Sequence, residues 1–577
     1  MPLPFDIADR PEERIVRQLA AAALYENLFG SIDLNVRGAS GFEWNVDGRA
    51  WRARGRLGAF GRPRLEAGTV EWRAAGEWRQ ASIADIAGAL PGAEQARARL
   101  GRELEQTAAL MRWNLQHLPR RDRRHLAFCA LDAAIDEGHP YHPCFKSRTG
   151  FDEADHRAYG PEAGNSFQLV WLAVARDLLH LALPDSEDLF WQREIGVQGW
   201  HELRRRSAAL GIEGRDFGLM PIHPWQWRDL SEGRLKSLIQ SGRVYYLGTA
   251  GDPYRASQSV RSLTNARDPR RSGVKLAMNI VNTSTRRTIE PHSVGTAPVL
   301  SHWLGEVIDT DPLFKGDCRL DILREHAGLI MDRDGPLGGE IAAIWRESVE
   351  DKLAEGEAAV PFNALMAVEA DGRPFIDPWV SRYGVMEWLD RLIHVALLPV
   401  WRLLIAHGIA TEAHGQNMVL VHRDGWPERL ILRDFHDSLE FVPGFLADPA
   451  LAPDFETLNP DYRDAQPNQY YWMQRPEDLR DLFVDCVFVF SLSEISHLAQ
   501  SFYGIDELTF WQRVARQLSA YITEHDLGAR ASRLGFGTRG ILTESLLARK
   551  LGLNGPDFQH EVPNALAGLS LLARENA

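Results

Sequence analysis

The chain has 577 residues, 45% of them hydrophobic and 25% charged, with a formal net charge of -14. Single hydrophobic cores stop growing at roughly 250–300 residues, so this length predicts two to four domains, and the composition excludes long disorder. The acidic balance argues against a nucleic-acid binder, whose affinity rests on phosphate neutralisation, yet it leaves room for a basic pocket that takes a small anion.

Reading from the N-terminus, Met1 to Arg17 carries Asp6, Asp9, Glu12 and Glu13 and has no apolar h-region, which predicts no secretory signal. Apolar residues at helical spacing predict a helix from Ile15 to Phe29, stopped at Gly30. Phe42 to Trp78 breaks into short Trp- and Arg-rich runs with turns at Asp47-Gly48, Gly55 and Gly76, the pattern of antiparallel strands. Helical patterns follow from Ile83 to Leu118, from Arg123 to Asp136 and from Asn165 to Leu181. Pro221-Ile222-His223-Pro224-Trp225 must be extended or turning. Strands are predicted at Val244–Leu247 and Val274–Val281, and a helix at Val294–Ile308. A long helix then runs from Val385 to His407, followed by two short strands, Met418–His422 and Leu430–Phe435, around the turn Arg423-Asp424-Gly425. Asp448 to Gln469 reads as a long surface connection. The most apolar stretch, Leu482 to Leu492, is interrupted by Asp485 and too short to span a bilayer, and the four cysteines form no CxxC pair, so a cytoplasmic protein without membrane or nucleic-acid partners is expected. These elements predict an α+β, multidomain chain.

Three segments carry chemistry. Gly138-His139-Pro140-Tyr141-His142-Pro143-Cys144-Phe145-Lys146-Ser147-Arg148-Thr149-Gly150 must be a loop, and it gathers two imidazoles, an ammonium and a guanidinium that can face an anion. A capped surface turn is the plain alternative. Ser257 to Thr264, then Lys275, then Asn282-Thr283-Ser284-Thr285-Arg286-Arg287 join hydroxyls to cations, a donor set suited to phosphate and polycarboxylate groups. The third is Glu412-Ala413-His414-Gly415-Gln416-Asn417 at one strand end and Arg433-Asp434-Phe435-His436-Asp437 at the next. Carboxylate and amide oxygens so placed suit a Mg²⁺–nucleotide site. The Asp that kinases place upstream of such an Asn is missing, as are a Gly-x-x-x-x-Gly-Lys loop and a Gly-x-Ser-x-Gly motif. Nucleotide binding without a base for phosphoryl transfer is the pattern that remains.

In order along the chain, His139-Pro140-x-His142-Pro143-x-x-Lys146-x-Arg148-x-Gly150, His223-Pro224-Trp225-Gln226, Ser259-x-Arg261, Lys275, Thr283, Arg287 and Glu412-x-His414-x-Gln416-Asn417 with Asp434 resemble the IucA/IucC family of siderophore synthetases that work without a nonribosomal template. Departures are the Tyr159-Gly160-Pro161-Glu162-Ala163-Gly164 segment and Ser262 where a Thr is expected. The resemblance implies a cupped hand with thumb (1–150), fingers (151–370) and kinase-like palm (371–577). It implies that a carboxylic acid, citrate first among candidates, is adenylated by ATP and then condensed with an amine or alcohol, releasing pyrophosphate and AMP. By that likeness His139, His142, Lys146, Ser259, Arg261, Lys275, Arg287, Gln416 and Asp434 hold ATP. Thr283, Arg287 and His414 hold the acid, with Arg287, Lys275 and His414 acting on the reaction, and Glu412, Asn417 and Asp434 hold Mg²⁺. A homodimer is also expected. Competing readings are a phosphotransferase making ADP and a non-catalytic binder of a citrate-like iron chelate.

Overall fold

The computed structural model describes residues 10–29, 41–283, 285–553 and 558–567. Gly30, Ser284 and the first nine residues, which entered the sequence reading, lie outside them. Helix and sheet are mixed throughout.

The centre is an eight-stranded antiparallel sheet. Its order is Leu179–Ala182, Glu325–Met331, Ala342–Arg346, Gly273–Leu276, Ser262–Asn265, Val244–Ala256, Phe167–Ala175 and Phe217–Ile222. The helix expected over Asn165–Leu181 is therefore two strands, Phe167–Ala175 and Leu179–Ala182, which lie apart in the sheet. Phe167–Ala175 is covered on both faces, so its apolar run does not alternate, and only its aromatic and β-branched content distinguishes it from a buried helix. The sheet's core runs from Leu169 to Trp345 and is separate from a second core that unites residues 15–145, 300–322 and 360–566. N-terminal and C-terminal parts of the chain thus bury their apolar faces together.

Pro291–Thr310 lies against Glu325–Met331, where Gly328 lets the backbones approach, since a Cβ there would overlap the Val294 carbonyl. The predicted helix over Ile83–Leu118 is two, Ile83–Ala89 and Glu94–His117, broken at Pro91-Gly92, and only Phe128–Ala134 of the next is helical. His223 caps the helix Pro224–Ser231, its Nδ1 accepting from the Trp225 N–H at 3.1 Å, so Pro224 begins a helix rather than a turn. Leu482–Leu492 belongs to a continuous helix, Pro476–Tyr503, π-helical from Val484 to Leu492. It is long and apolar enough to cross a membrane, but 94% of its apolar window is buried inside the protein, which makes it a core helix. The connection from Asp448 to Gln469 is not wholly superficial, because Phe455 and Tyr462 are buried in it.

Candidate functional site

The hairpin Met418–Arg423/Trp426–Leu432 carries Asn417 at its entry and delivers Asp434 at its exit, as the sequence pattern predicts. Asp434 meets the strand Gly273–Leu276, whose Lys275 lies 3.7 Å from its carboxylate, and Ala342–Arg346, whose Arg346 pairs with it at 2.5 Å. Sheet and hairpin therefore converge on one cleft. Its other wall is the loop before Ser262 and the short hairpin Val281–Asn282/Thr285–Arg286, after which Arg287 is fixed by backbone bonds to Met278 and Ile280. Arg148, Val260, Thr283 and Asp434 all occupy the left-handed region, at φ 34°, 66°, 57° and 64°. For β-branched Val260 and Thr283 this is strained backbone, held where the cleft is built.

The cations define the site. Arg287 donates to the Asn282 carbonyl at 2.8 Å and the Thr283 hydroxyl at 2.5 Å, and its buried Nε has no partner. Arg261 donates to the Thr288 carbonyl. Among the described residues neither guanidinium has an ion-pair partner. Burial, and then Arg261, lower the Arg287 pKa to about 9, and burial lowers that of Arg261. Burial likewise lowers Lys275, against the pull of Asp434. Desolvated guanidiniums without a paired carboxylate, as at Arg261 and Arg287, are costly and favour an anion.

His139 and His414 are neutral donors rather than cations. Burial lowers them to about 3 and about 4, and each Nδ1 accepts backbone N–H groups, from Tyr141 and His142 and from Gln416, leaving the proton on Nε2. His142, buried, accepts from the Cys144 N–H, and its Nε2 is unpartnered. Ser259 spends its hydroxyl oxygen accepting the Ser262 N–H, which shapes the turn that presents Arg261.

Lys146, expected to hold ATP, is engaged within the protein. Its ammonium is 1% exposed and paired with Glu162 at 2.6 Å and with Asp136, while Arg148 forks onto the same Glu162. Both cations are thus paired with carboxylates that flank the loop. Gly138 is needed for the loop's tight start, because φ is +66° and a Cβ would overlap the Phe145 ring.

The predicted metal trio is only partly assembled. The Asn417 amide donates to the Glu412 carbonyl at 3.0 Å. Among the described residues the acidic and imidazole groups that gather three together close enough to share an ion are Glu325, Asp434 and His436, a trio of which Glu412 is not a member. In that trio His436 is already committed. Burial opposes its charge, but Glu325, 2.6 Å from Nδ1, raises it to about 9. Its Nε2 is 3.0 Å from Lys275 Nζ, so one of the two nitrogens must accept and the pair carries one proton fewer than two full cations. Glu412 faces a different environment. Burial, then Glu544 and Asp437, raise it to about 7, and burial with Glu412 raises Glu440 to about 8.

Sequence reasoning missed Glu325, Arg346 and Lys550. Lys550 donates to the Thr283 carbonyl at 2.6 Å and pairs with Glu103. None of the three stands in a local motif. His436 and Asp437 were legible beside Asp434.

A family model described as IucA / IucC family matches residues 127–367, and one described as ferric iron reductase FhuF-like transporter matches 386–564. The chain is 36% identical over 440 residues to the citryl-spermidine/3,4-dihydroxybenzoyl-citryl-spermidine:spermidine ligase of Bacillus anthracis, covering 76% of this chain and 72% of that one. The crystal structure of the petrobactin biosynthesis protein AsbB from Bacillus anthracis superposes with a TM-score of 0.90 at 31% identity, over 96% of this chain and 95% of that one. ATP-bound aerobactin synthetase IucA from Klebsiella pneumoniae shares the fold, with a TM-score of 0.73 at 18% identity over 96% and 100%. With its cleft of unpaired guanidiniums and this extent of likeness, the chain belongs to the IucA/IucC family of siderophore synthetases and is a ligase.

Proposed function

We propose that the chain activates a polycarboxylic acid, citrate foremost, as its acyl-adenylate with ATP, and transfers the acyl group to an amine, releasing AMP. The observation that carries this is the pair Arg261 and Arg287, two adjacent guanidiniums with depressed pKa and no carboxylate partner. The first step brings a carboxylate against the α-phosphate. Two anions repel, and cations that are unpaired beforehand need no salt bridge broken before they relieve that repulsion. Arg287 is placed to bridge both anions, with Thr283 beside it on the acid side and Lys275 toward Asp434. His139, His142 and His414 contribute neutral N–H donors, and Gln416 extends the ATP wall. No protein nucleophile is required, because the substrate carboxylate displaces pyrophosphate and the amine displaces AMP. A relative of the same fold is an ATP-bound synthetase, which supports ATP here.

Mg²⁺ fits the acidic wall. Burial, then Glu544 and Asp437, oppose the ionisation of Glu412, and a divalent cation would relieve this. Glu412 and Asp434 are the residues to hold it, where it would neutralise phosphate charge; Asn417 adds an amide. The same crowding, extended to Glu440, favours an ammonium-bearing acceptor over a neutral alcohol. The acceptor of the Bacillus anthracis relative, spermidine, is of that class.

The independent core of 169–345 supports reading the centre as fingers, between a thumb (1–150) and a kinase-like palm (371–577) in a cupped hand. We carry a homodimer and a cytoplasmic location with this reading, and light scattering on the eluted protein tests the former. The enzymatic test is incubation with Mg-ATP, hydroxylamine and a panel of acids. AMP, pyrophosphate and one acid's hydroxamate are expected; ADP would move the protein to phosphoryl transfer, and ATP binding without turnover to a binding role.

A further inference from the structure

A cavity of about 870 Å³ lies behind the His139 loop, and none of Arg261, Lys275, Arg287, Glu412, His414 or Asp434 lines it. Its walls come from the helices Pro11–Tyr25, Glu94–His117 and Ser493–Tyr503, the strands Arg49–Leu57 and Pro63–Leu65, and the segment 363–370. Eight arginines and six carboxylates face it. Most of those carboxylates already have a cation partner away from the inner end. Glu137 and Glu369 share Arg123, while Asp136 and Glu162 are taken by Lys146, and Glu66 turns to Arg54. At the inner end Glu494 alone answers both Arg62, at 2.8 Å, and Arg64, at 2.7 Å, with Arg17 near enough to lower its pKa further. Burial and then Arg64, Arg56, Arg62 and Arg17 hold His497 well below its ordinary pKa, so it is neutral among four guanidiniums.

Two polar atoms there are buried without a partner, Arg64 Nε and Gln18 Oε1, on side chains less than a tenth exposed. The opposite wall is apolar, with Met111, Leu115 and Met366, and Leu115 is 49% exposed. Exposed Arg120 and Arg121 stand at the rim, where they favour entry of an anion. The cavity and the ligation cleft share the His139 loop as a partition. Gln18 donates to the His139 carbonyl at 3.1 Å, and Arg62 from one side and His414 and Arg287 from the other all bear on the His139 imidazole.

We infer that this cavity is a second binding site, for a small organic anion whose acidic end meets Arg62 and Arg64 and whose carbon body lies along Met111, Leu115 and Met366. Two buried guanidiniums that share one carboxylate, joined to an apolar wall, select for that combination and against inorganic ions or neutral apolar molecules.

The test uses the full chain carrying Arg287→Ala, which silences the cleft, and the probe 8-anilinonaphthalene-1-sulfonate, an anion with an apolar body. Fluorescence titration and calorimetry should show one dye per chain. Adding Arg64→Gln should weaken binding at least tenfold, and Leu115→Glu, on an exposed side chain that leaves the core intact, should do the same. Glu494→Gln, by removing the competing carboxylate, should tighten binding several-fold. No dye binding overturns the inference, as does binding unmoved by Leu115→Glu. So does equal weakening by Arg64→Gln and Glu494→Gln, which would mark general loosening of the fold.

Discussion

Replacing Arg287 with alanine should lower activity while leaving stability unchanged or raised, an opposition that ordinary damage does not produce. In the free protein the guanidinium makes two hydrogen bonds, to the Asn282 carbonyl and the Thr283 hydroxyl, each contributing about 1 kcal/mol. Against them stands burial beside Arg261, which lowers its pKa to about 9 despite the pull of Glu412. Each pKa unit corresponds to about 1.4 kcal/mol, so the charge costs on the order of a few kcal/mol at neutral pH and offsets what the hydrogen bonds supply. The sign follows from protonation: a base with a depressed folded pKa destabilises below that pKa, and the cost fades as pH rises through about 9 toward the unfolded value. Loss of a charge-assisted contact made in the transition state should cost roughly 3–4 kcal/mol, or about 10²–10³ in kcat/KM. Hydroxamate formation and AMP release measure the rate, and thermal melts with and without Mg-ATP measure stability. Wild type should gain more from Mg-ATP than the variant, because ligand binding stabilises by mass action. Near-normal adenylation, or a large fall in the melting temperature of the free variant, would refute the assignment of Arg287 as an unpaired cation awaiting its substrates.

Lys146→Met should destabilise the protein by about 2–4 kcal/mol through Glu162, less than for a fully orphaned carboxylate because Arg148 remains bidentate on it; urea melts measure this, and the KM for ATP in the folded fraction should change little. Glu412 should make Mg²⁺ dependence steep with pH. Its carboxyl, held at about 7, is neutral in mild acid, so the Mg²⁺ concentration for half-maximal rate should rise as pH falls below 7, and Glu412→Gln should remove that dependence. Stability has the opposite trend, since a raised carboxyl makes the folded state bind more protons between about 4.3 and 7 and stability falls with rising pH there. For His436, held at about 9, stability is fully present below the unfolded value near 6.5 and is lost as pH rises through 9. Glu325→Gln should drop that pKa by more than a unit in an NMR titration of the imidazole.

What the sequence revealed depended on whether a constraint was local. Loops were legible because prolines and glycines forbid regular structure at His139–Pro143, and the two-strand unit ending in Asp434 was legible because apolar runs flank a turn. The strand Phe167–Ala175 was not, because a strand covered on both faces loses the alternation that marks it. The site was legible as a set of residue types but not as a set of pairings. Lys146 and Arg148 resemble anion ligands until Glu162, inside a segment that departs from the family pattern, is seen to bind both. Lys550 lies 267 residues from the Thr283 carbonyl it holds, and no periodicity or motif encodes that contact. Residues that act through distant partners leave no local trace.

The electrostatics of the cleft favour a ligation between an acid and an amine over a phosphoryl transfer. On one wall Arg261, Arg287 and Lys275 all have lowered pKa values; on the neighbouring wall Glu412 and Glu440 have raised ones. Burial is the first cause of every one of these shifts, and the attraction between the walls, Glu412 on Arg287 and Lys275 on Glu412, only partly offsets it. Asp434 marks the boundary, held well below its ordinary pKa by Arg346 and Lys275 despite burial. A phosphotransferase for a neutral alcohol would relieve only the basic wall. An enzyme that assembles two anions and then admits a cationic amine relieves both in turn, and the second relief falls where Glu412 borders His414, 3.9 Å away. Relief of this kind is binding energy stored in the free enzyme, released where charge arrives, and it makes the acidic wall as necessary to the second step as Arg287 is to the first.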